Sequence, residues 1–131
     1  MEIIITNSPL AFLPSYLWIN SNSEVDLRSS DIDIEFTDSN ITAGVWQYIC
    51  ITRDGSDIPK FYRDSLLIQT LAADAGTFTF DQIGRYHDGS TGSAEDFFFN
   101  GQIANTQIYD RPLSQAEIKQ NFNAQRSRFG I

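Results

Sequence analysis

The sequence has one cysteine, Cys50, and one histidine, His87, among its 131 residues. A single cysteine cannot close an intrachain disulfide, and a structural zinc site needs about four Cys or His ligands, so both kinds of staple are excluded. Basic residues are also scarce: nine Lys and Arg stand against seventeen Asp and Glu, giving a formal net charge of -8 and a pI near 4.3. Nucleic-acid binders draw most of their affinity from clustered cations, and the closest pair of basic residues here is Arg126 and Arg128. This balance excludes a nucleic-acid partner and disfavours insertion into an anionic membrane. Long apolar runs are absent too. The opening Met1-Glu2-Ile3-Ile4-Ile5-Thr6 is too short for the hydrophobic region of a signal peptide or for a spanning helix. A role outside a cell therefore implies carriage within a larger assembly, release by lysis, or loss of a preceding segment.

What is present describes a globular domain. Hydrophobic residues make up 41% of the chain, including ten Phe, five Tyr and two Trp, more than a disordered chain carries. The length suits a single domain over residues 1–131, which at this size buries roughly two-thirds of its unfolded surface. Short apolar stretches with period-two alternation recur between clusters of Ser, Asn, Asp, Gly and Thr, the pattern of an all-β chain. Expected strands are Glu2–Thr6, Tyr16–Ile19, Glu24–Leu27, Asp31–Phe36, Val45–Arg53, Lys60–Tyr62, Leu66–Leu71, Thr77–Phe80, Gln82–Tyr86, Glu95–Phe99 and Gln102–Tyr109. Val45 to Thr52 is apolar on both faces, which predicts a central covered strand with Cys50 as a small buried hydrophobe. One segment breaks the period. Ser114 and Glu117 have capping-box spacing, with Leu113 and Ile118 flanking them as a hydrophobic staple, so a short helix begins there and buries Ile118 and Phe122.

Three blocks together resemble the LamG-like branch of the concanavalin A-like lectin and glucanase superfamily. The first is Trp46-Gln47-Tyr48-Ile49-Cys50-Ile51-Thr52-Arg53-Asp54-Gly55, similar to a Trp-led strand that runs into a turn. The second is Phe61-Tyr62-Arg63-Asp64-Ser65, similar to a Tyr-x-Asp-Gly hairpin with Ser65 in place of Gly. The third runs from Phe99-Asn100-Gly101-Gln102-Ile103-Ala104 through Gln107-Ile108-Tyr109-Asp110-Arg111-Pro112-Leu113-Ser114 to Glu117-Ile118. Ile83-Gly84-Arg85 resembles the family's short strand between them. The resemblance covers residues 45 to 131 and implies an antiparallel β-sandwich of jelly-roll type with one short C-terminal helix. The N-terminal third matches less well, which implies a domain that is compact or truncated there, with a strand missing or supplied by a neighbour. Residues Asn121 to Ile131 resemble the ending of LamG-like domains in structural proteins of tailed bacteriophages.

Three candidate sites follow. Asp31-x-Asp33-x-Glu35 puts three acids on one strand face, similar to the Glu-x-Asp-x-Glu strand of laminarinase-like hydrolases. Asp31 replaces the nucleophilic Glu and is one methylene short, so the expectation is a solvated acidic face and no catalytic residue. For ligand binding the loop between Tyr86 and Asp96 offers an aromatic ring, His87, Asp88 and Glu95, with glycines that admit a ligand to the backbone. No cofactor is required. Calcium is the one metal whose hard oxygen ligands are abundant, with Asp54, Asp57, Asp88 and Asp96 as candidates, although their spacing follows no known pattern. The alternation of Phe97-Phe98-Phe99 aims one ring, Phe98, away from the core. The expected function is a non-enzymatic virion module, a decoration, fibre or tail-associated protein. It would contact other virion proteins and further copies of itself, with host-surface glycans as candidate ligands. The alternatives are a lectin domain of cellular origin and a small laminarinase-like glycoside hydrolase.

Overall fold

The computed structural model describes residues 2–6, 16–29, 32–78, 83–87 and 96–131; in residues 2–6, 16, 85–87 and 96–98 it describes the backbone alone. Ten strands appear: β1 (Glu2–Thr6), β2 (Tyr16–Ile19), β3 (Val25–Arg28), β4 (Asp33–Phe36), β5 (Tyr48–Arg53), β6 (Pro59–Arg63), β7 (Leu66–Thr70), β8 (Arg85–His87), β9 (Asp96–Phe98) and β10 (Asn105–Tyr109). One helix, α1 (Gln115–Phe129), follows. The strands form a five-stranded sheet in the order β10-β1-β5-β6-β7, a three-stranded sheet β2-β3-β4 and the hairpin β8-β9. The fold is mostly β with one C-terminal helix, as the alternation predicts.

The main core lies between the two larger sheets. Val25, Leu27, Ile34 and Phe36 face inward from the three-stranded sheet and meet Ile49, Ile51 and Phe61 of the five-stranded sheet. Phe36 and Phe61 touch across the interface with ring centroids 5.3 Å apart. β5 is buried on both faces, as its unbroken apolar run predicts. Its second face, Tyr48 and Cys50, packs with Tyr62 against Leu113, Ile118 and Phe122 of the helical segment. Cys50 is buried and has no disulfide.

The helix is fixed by its cap. The Ser114 side chain accepts from the Glu117 N–H, and the Glu117 carboxylate accepts from the Ser114 N–H at 2.8 Å. Arg111 forks onto the same carboxylate, Nη2 to Oε1 at 2.6 Å and Nη1 to Oε2 at 3.1 Å. That fork, together with the Ser114 contacts, holds the Glu117 carboxyl down at about 2. At the other end Gly130 takes the left-handed conformation, φ 71°, that closes the helix. No helix among the described residues is long and apolar enough to cross a membrane.

Several details depart from the sequence expectations or add to them. Val45, Trp46 and Gln47 precede β5 instead of opening it, because Gln47 bonds back to Thr42 through both its amide atoms. Trp46 and Tyr48 serve the helix side of the sheet, not the sandwich: Trp46 stacks on Phe129 at 4.9 Å and Tyr48 meets Phe122 edge-on at 5.7 Å. β1 runs parallel to both β5 and β10, whereas the other pairings are antiparallel. Gly101 is required by proximity: a Cβ there would lie 2.6 Å from the Phe99 ring, which itself packs on the main core. The expected strand Thr77–Phe80 is irregular at residues 77–78 and otherwise lies outside the described residues.

The Tyr-x-Asp hairpin explains its own motif. Asp64 and Ser65 both have positive φ, 50° and 67°, which makes a two-residue turn whose twist matches the flanking strands. Ser65 holds a conformation that favours glycine. Asp64 hooks the turn onto β5, its N–H donating to the Tyr48 carbonyl and its carboxylate accepting from the Tyr48 N–H.

Candidate functional site

The inward residues of the three-stranded sheet alternate with a polar outer set. Leu17 and Ile19 of β2 pack on the core, which puts Trp18 on the opposite face. On β3 the outer positions are Asp26 and Arg28, and on β4 they are Asp33 and Glu35. Register aligns these into rows, with Trp18 opposite Asp26 and Asp26 opposite Glu35. Arg28 faces Asp33 in the next row.

Asn20 organises the near end of this face. Its Oδ1 accepts from the backbone N–H groups of Asn22 and Glu24, at 2.9 and 3.1 Å, which closes the β2-β3 turn. Its Nδ2 points into three carboxylates: Glu24 at 2.9 Å, Glu35 at 3.3 Å and Asp26 at 3.5 Å. An amide carries two N–H groups, so three acceptors share two donors. Asp26 is the central group and only 4% exposed. Its second oxygen lies 3.8 Å from Arg28, whose Nε is held by Asp33 at 2.9 Å.

Electrostatics follow from this crowding. Burial pushes the Asp26 carboxyl above its ordinary value, partly offset by Arg28 and by the Asn20 hydrogen bond. The Asp26 charge in turn raises Glu35, with burial and Glu24 adding to the shift. The face is thus a crowded acidic surface with a tryptophan at its border, a nearly buried aspartate at its centre and an amide at one end.

The expected site residues are distributed differently. Tyr86 and His87 lie on β8 and Asp96 on β9, where His87 pairs directly with Asp96 and Tyr86 with Phe97. Asp88 and Glu95 lie outside the described residues, as does Asp31. Asp33 and Glu35 do share the outer face of β4, and Asp33 is engaged by Arg28. Asp54 and Asp57 sit in one turn. The Asp54 carboxylate accepts from the Ser56 and Ile58 N–H groups, which hold it below its ordinary value, and its other oxygen is 3.8 Å from Lys60. Asp57 pairs with Arg53 at 2.9 Å. Among the described residues no three His, Cys, Asp or Glu side chains are grouped to share a metal ion.

Sequence reasoning missed Trp18, Asn20, Glu24 and Asp26. The signal for Asp26 was available, an acid flanked by Val25 and Leu27 in strict alternation. Its proximity to Glu35 and Asn20 depends on strand register, which alternation does not encode.

Two stacked sheets, one with a polar outer face and the other backed by a capped helix, define a lectin-like sandwich domain. The model of the laminin G type family of the concanavalin A-like lectin/glucanase superfamily matches residues 12–119, and the chain belongs to that family. No curated protein matches the chain. A solved structure similar to it is an S-layer domain-containing protein from Clostridium thermocellum, 24% identical over 90% of this chain and 70% of that one, with a TM-score of 0.49.

Proposed function

We propose that this chain is a non-enzymatic adhesion module that binds glycans on the outer face of its three-stranded sheet, as a structural component of a virion. The observation that carries the reading is the row Trp18-Asp26-Glu35 crossed by the Asn20 amide. An aromatic border with convergent carboxylates and an amide, on strands held rigid by a packed core, suits the polyhydroxyl pattern of a sugar. Asp26, 4% exposed, lies beneath this surface and steadies the Asn20 amide and Arg28, so the groups within reach of a sugar are the exposed Glu35 and the half-buried Trp18 and Asn20. The virion setting draws on the C-terminal stretch 121–131 and its resemblance to phage domain endings; the alternative is a lectin domain of cellular origin. Of the acids offered for calcium, Asp54 accepts from the Ser56 and Ile58 N–H groups and lies 3.8 Å from Lys60, and Asp57 pairs with Arg53 through one oxygen.

One observation favours a second reading, a small laminarinase-like hydrolase. Asp26 and Glu35 face each other across the β3-β4 pair and both carboxyls are raised from their ordinary values, Asp26 by burial and Glu35 by the Asp26 charge, the direction a general acid requires. A panel of bacterial surface polysaccharides and β-glucans separates the two. The adhesion reading expects retention of at least one polysaccharide without release of reducing ends, and loss of retention in Asn20→Ala. Cleavage abolished in Glu35→Gln establishes the hydrolase instead, and no retention of any polysaccharide removes the adhesion reading.

A further inference from the structure

The link between β9 and β10 carries a chemistry that recognition on the sheet face does not use. Asn100 is followed there by Gly101, the one Asn-Gly pair in the sequence; the other seven asparagines precede Ser, Ile, Thr, Phe or Ala. Both residues of the pair lie in a bend between the strands, and both are exposed. Among the described residues the Asn100 amide has no hydrogen-bond partner. Other asparagine amides are occupied: Asn20 donates to Glu24, Asn40 to the Asp38 carbonyl, and Asn121, within α1, to the Tyr109 hydroxyl.

The fold itself imposes the glycine. Phe99 is anchored by its N–H to the Gly84 carbonyl at 2.9 Å and packs on the main core, and a Cβ at position 101 would strike its ring. Position 101 therefore presents a backbone nitrogen with no side chain to shield it, directly after an exposed amide. Its N–H meets the Phe99 carbonyl at 3.1 Å, closing a three-residue turn outside any helix or strand ladder. The Asp54-Gly55 pair differs. The Asp54 carboxylate accepts from the Ser56 and Ile58 N–H groups, which keep it ionised, and an anionic carboxylate resists attack by a nucleophile.

We infer that Asn100 is a site of spontaneous covalent modification, at which the chain's own Gly101 nitrogen converts the asparagine to aspartate and isoaspartate. The Gly101 nitrogen, its proton lost to water, bonds to the Asn100 Cγ; the Cγ–Nδ2 bond breaks and ammonia leaves, closing a five-membered succinimide. Water then opens the ring. Attack at Cγ breaks the new bond and gives aspartate, whereas attack at the backbone carbonyl carbon breaks the original peptide bond and leaves the chain running through Cβ and Cγ. No oxidant or reductant enters, and either product takes the formal charge from -8 to -9. The isoaspartyl product also adds one carbon to the backbone between residues 100 and 101. Gly101 lies where a single added carbon would meet the Phe99 ring, so the lengthened link displaces it and loosens Phe99 and Ile103, both of which pack on the main core. This inference stands apart from the adhesion reading and survives its failure.

Mass spectrometry of the intact chain, incubated folded at mildly alkaline pH and in parallel in guanidinium, tests it. Replacing an amide NH2 by OH adds about 1 Da, and fragment spectra are expected to place that gain at Asn100 ahead of the other seven asparagines, at a similar rate in both samples. Asn105, which lies in β10 and precedes Thr106, is the internal control and is expected to gain mass more slowly. Gly101→Ala is unsuitable as a control because its methyl would strike Phe99, so Asn100→Gln serves: its side chain is exposed, and its longer amide closes a six-membered ring less readily. That variant is expected to lose the gain at position 100 while keeping the parent's circular dichroism. The aged chain is expected to melt below the fresh one, and Asn100→Asp, which carries the charge on an ordinary backbone, to melt with the fresh one. No gain at Asn100 in the folded chain, a gain there only in guanidinium, or a faster gain at another asparagine overturns the inference. An aged chain rich in isoaspartate that melts with the fresh one overturns the displacement of Gly101.

Discussion

The two sheets of this sandwich share one core and treat their outer faces in opposite ways. The five-stranded sheet covers its second face with a helix, so Tyr48, Cys50 and Tyr62 are buried on both sides of their strands. The three-stranded sheet leaves its second face uncovered by the helix and places there a nearly buried aspartate with two further carboxylates around one amide. The first arrangement minimises exposed apolar area and accounts for stability. The second holds like charges close together, which a fold selected for stability alone would replace with neutral residues. On the proposed reading stability and recognition are divided between the sheets, and the division can be tested face by face.

The largest expected effect belongs to the shared core. Phe36→Ala removes a fully buried ring that meets Phe61 and should cost about 3–5 kcal/mol, read from the shift of the urea midpoint. One position earlier on the same strand, Glu35→Gln should stay within about 0.5 kcal/mol. Comparable costs at both positions would break the distinction between the faces of β4.

The helix side comes next. Ile118→Ala opens space beneath α1 and should cost about 2–5 kcal/mol in the same assay. Ser114→Ala, which removes the cap but leaves that packing intact, should cost about 1 kcal/mol. A cap effect as large as the Ile118 effect would mean that the helix is held by its end, not by its face.

The smallest effect is also the most diagnostic, because the two regions respond to acid with opposite signs. Glu117 has a folded value of about 2 against an ordinary 4.5, so its contribution is present above the ordinary value and is lost as pH falls towards 2. Asp26 and Glu35 are raised in the folded state, so they favour folding below their ordinary values and oppose it increasingly as pH rises through the folded ones. Melting temperatures followed from about pH 7 to about pH 3 should therefore fall more steeply in Asp26→Asn than in the parent chain, and less steeply in Glu117→Gln. Parallel curves for all three proteins would show that neither carboxyl differs between the folded and unfolded states.

The legible parts of the molecule were those written locally. Alternation located β2, β4 and β7 closely, and the Ser114–Glu117 spacing located the start of the helix. The covered nature of β5 followed from its composition. What escaped depends on pairing between distant segments. β1 inserts between β5 and β10 in parallel, a register linking residues 2–6 with residues 48–51 and 105–109 that no local signal records. Trp46 reads as part of a strand because it sits before an apolar run, yet the Gln47 bonds to Thr42 hold it in the preceding turn. The candidate site escaped for the same reason: Asn20, Asp26 and Glu35 are unremarkable singly and become a cluster only through the β2-β3-β4 register. Glu35 was visible as one member of an acidic strand face, but its partner proved to be on β3 and not two residues away on its own strand.

The central claim is that ligand recognition resides on the outer face of the three-stranded sheet. Backbone amide shifts of the labelled chain, followed while titrating a polysaccharide fragment that the chain retains, test it most directly. The account predicts shifts concentrated at Trp18, Asn20, Asp26 and Glu35 that disappear in Asn20→Ala. Shifts confined to the β8-β9 hairpin around Tyr86, His87 and Asp96, with the three-stranded sheet silent, would contradict it.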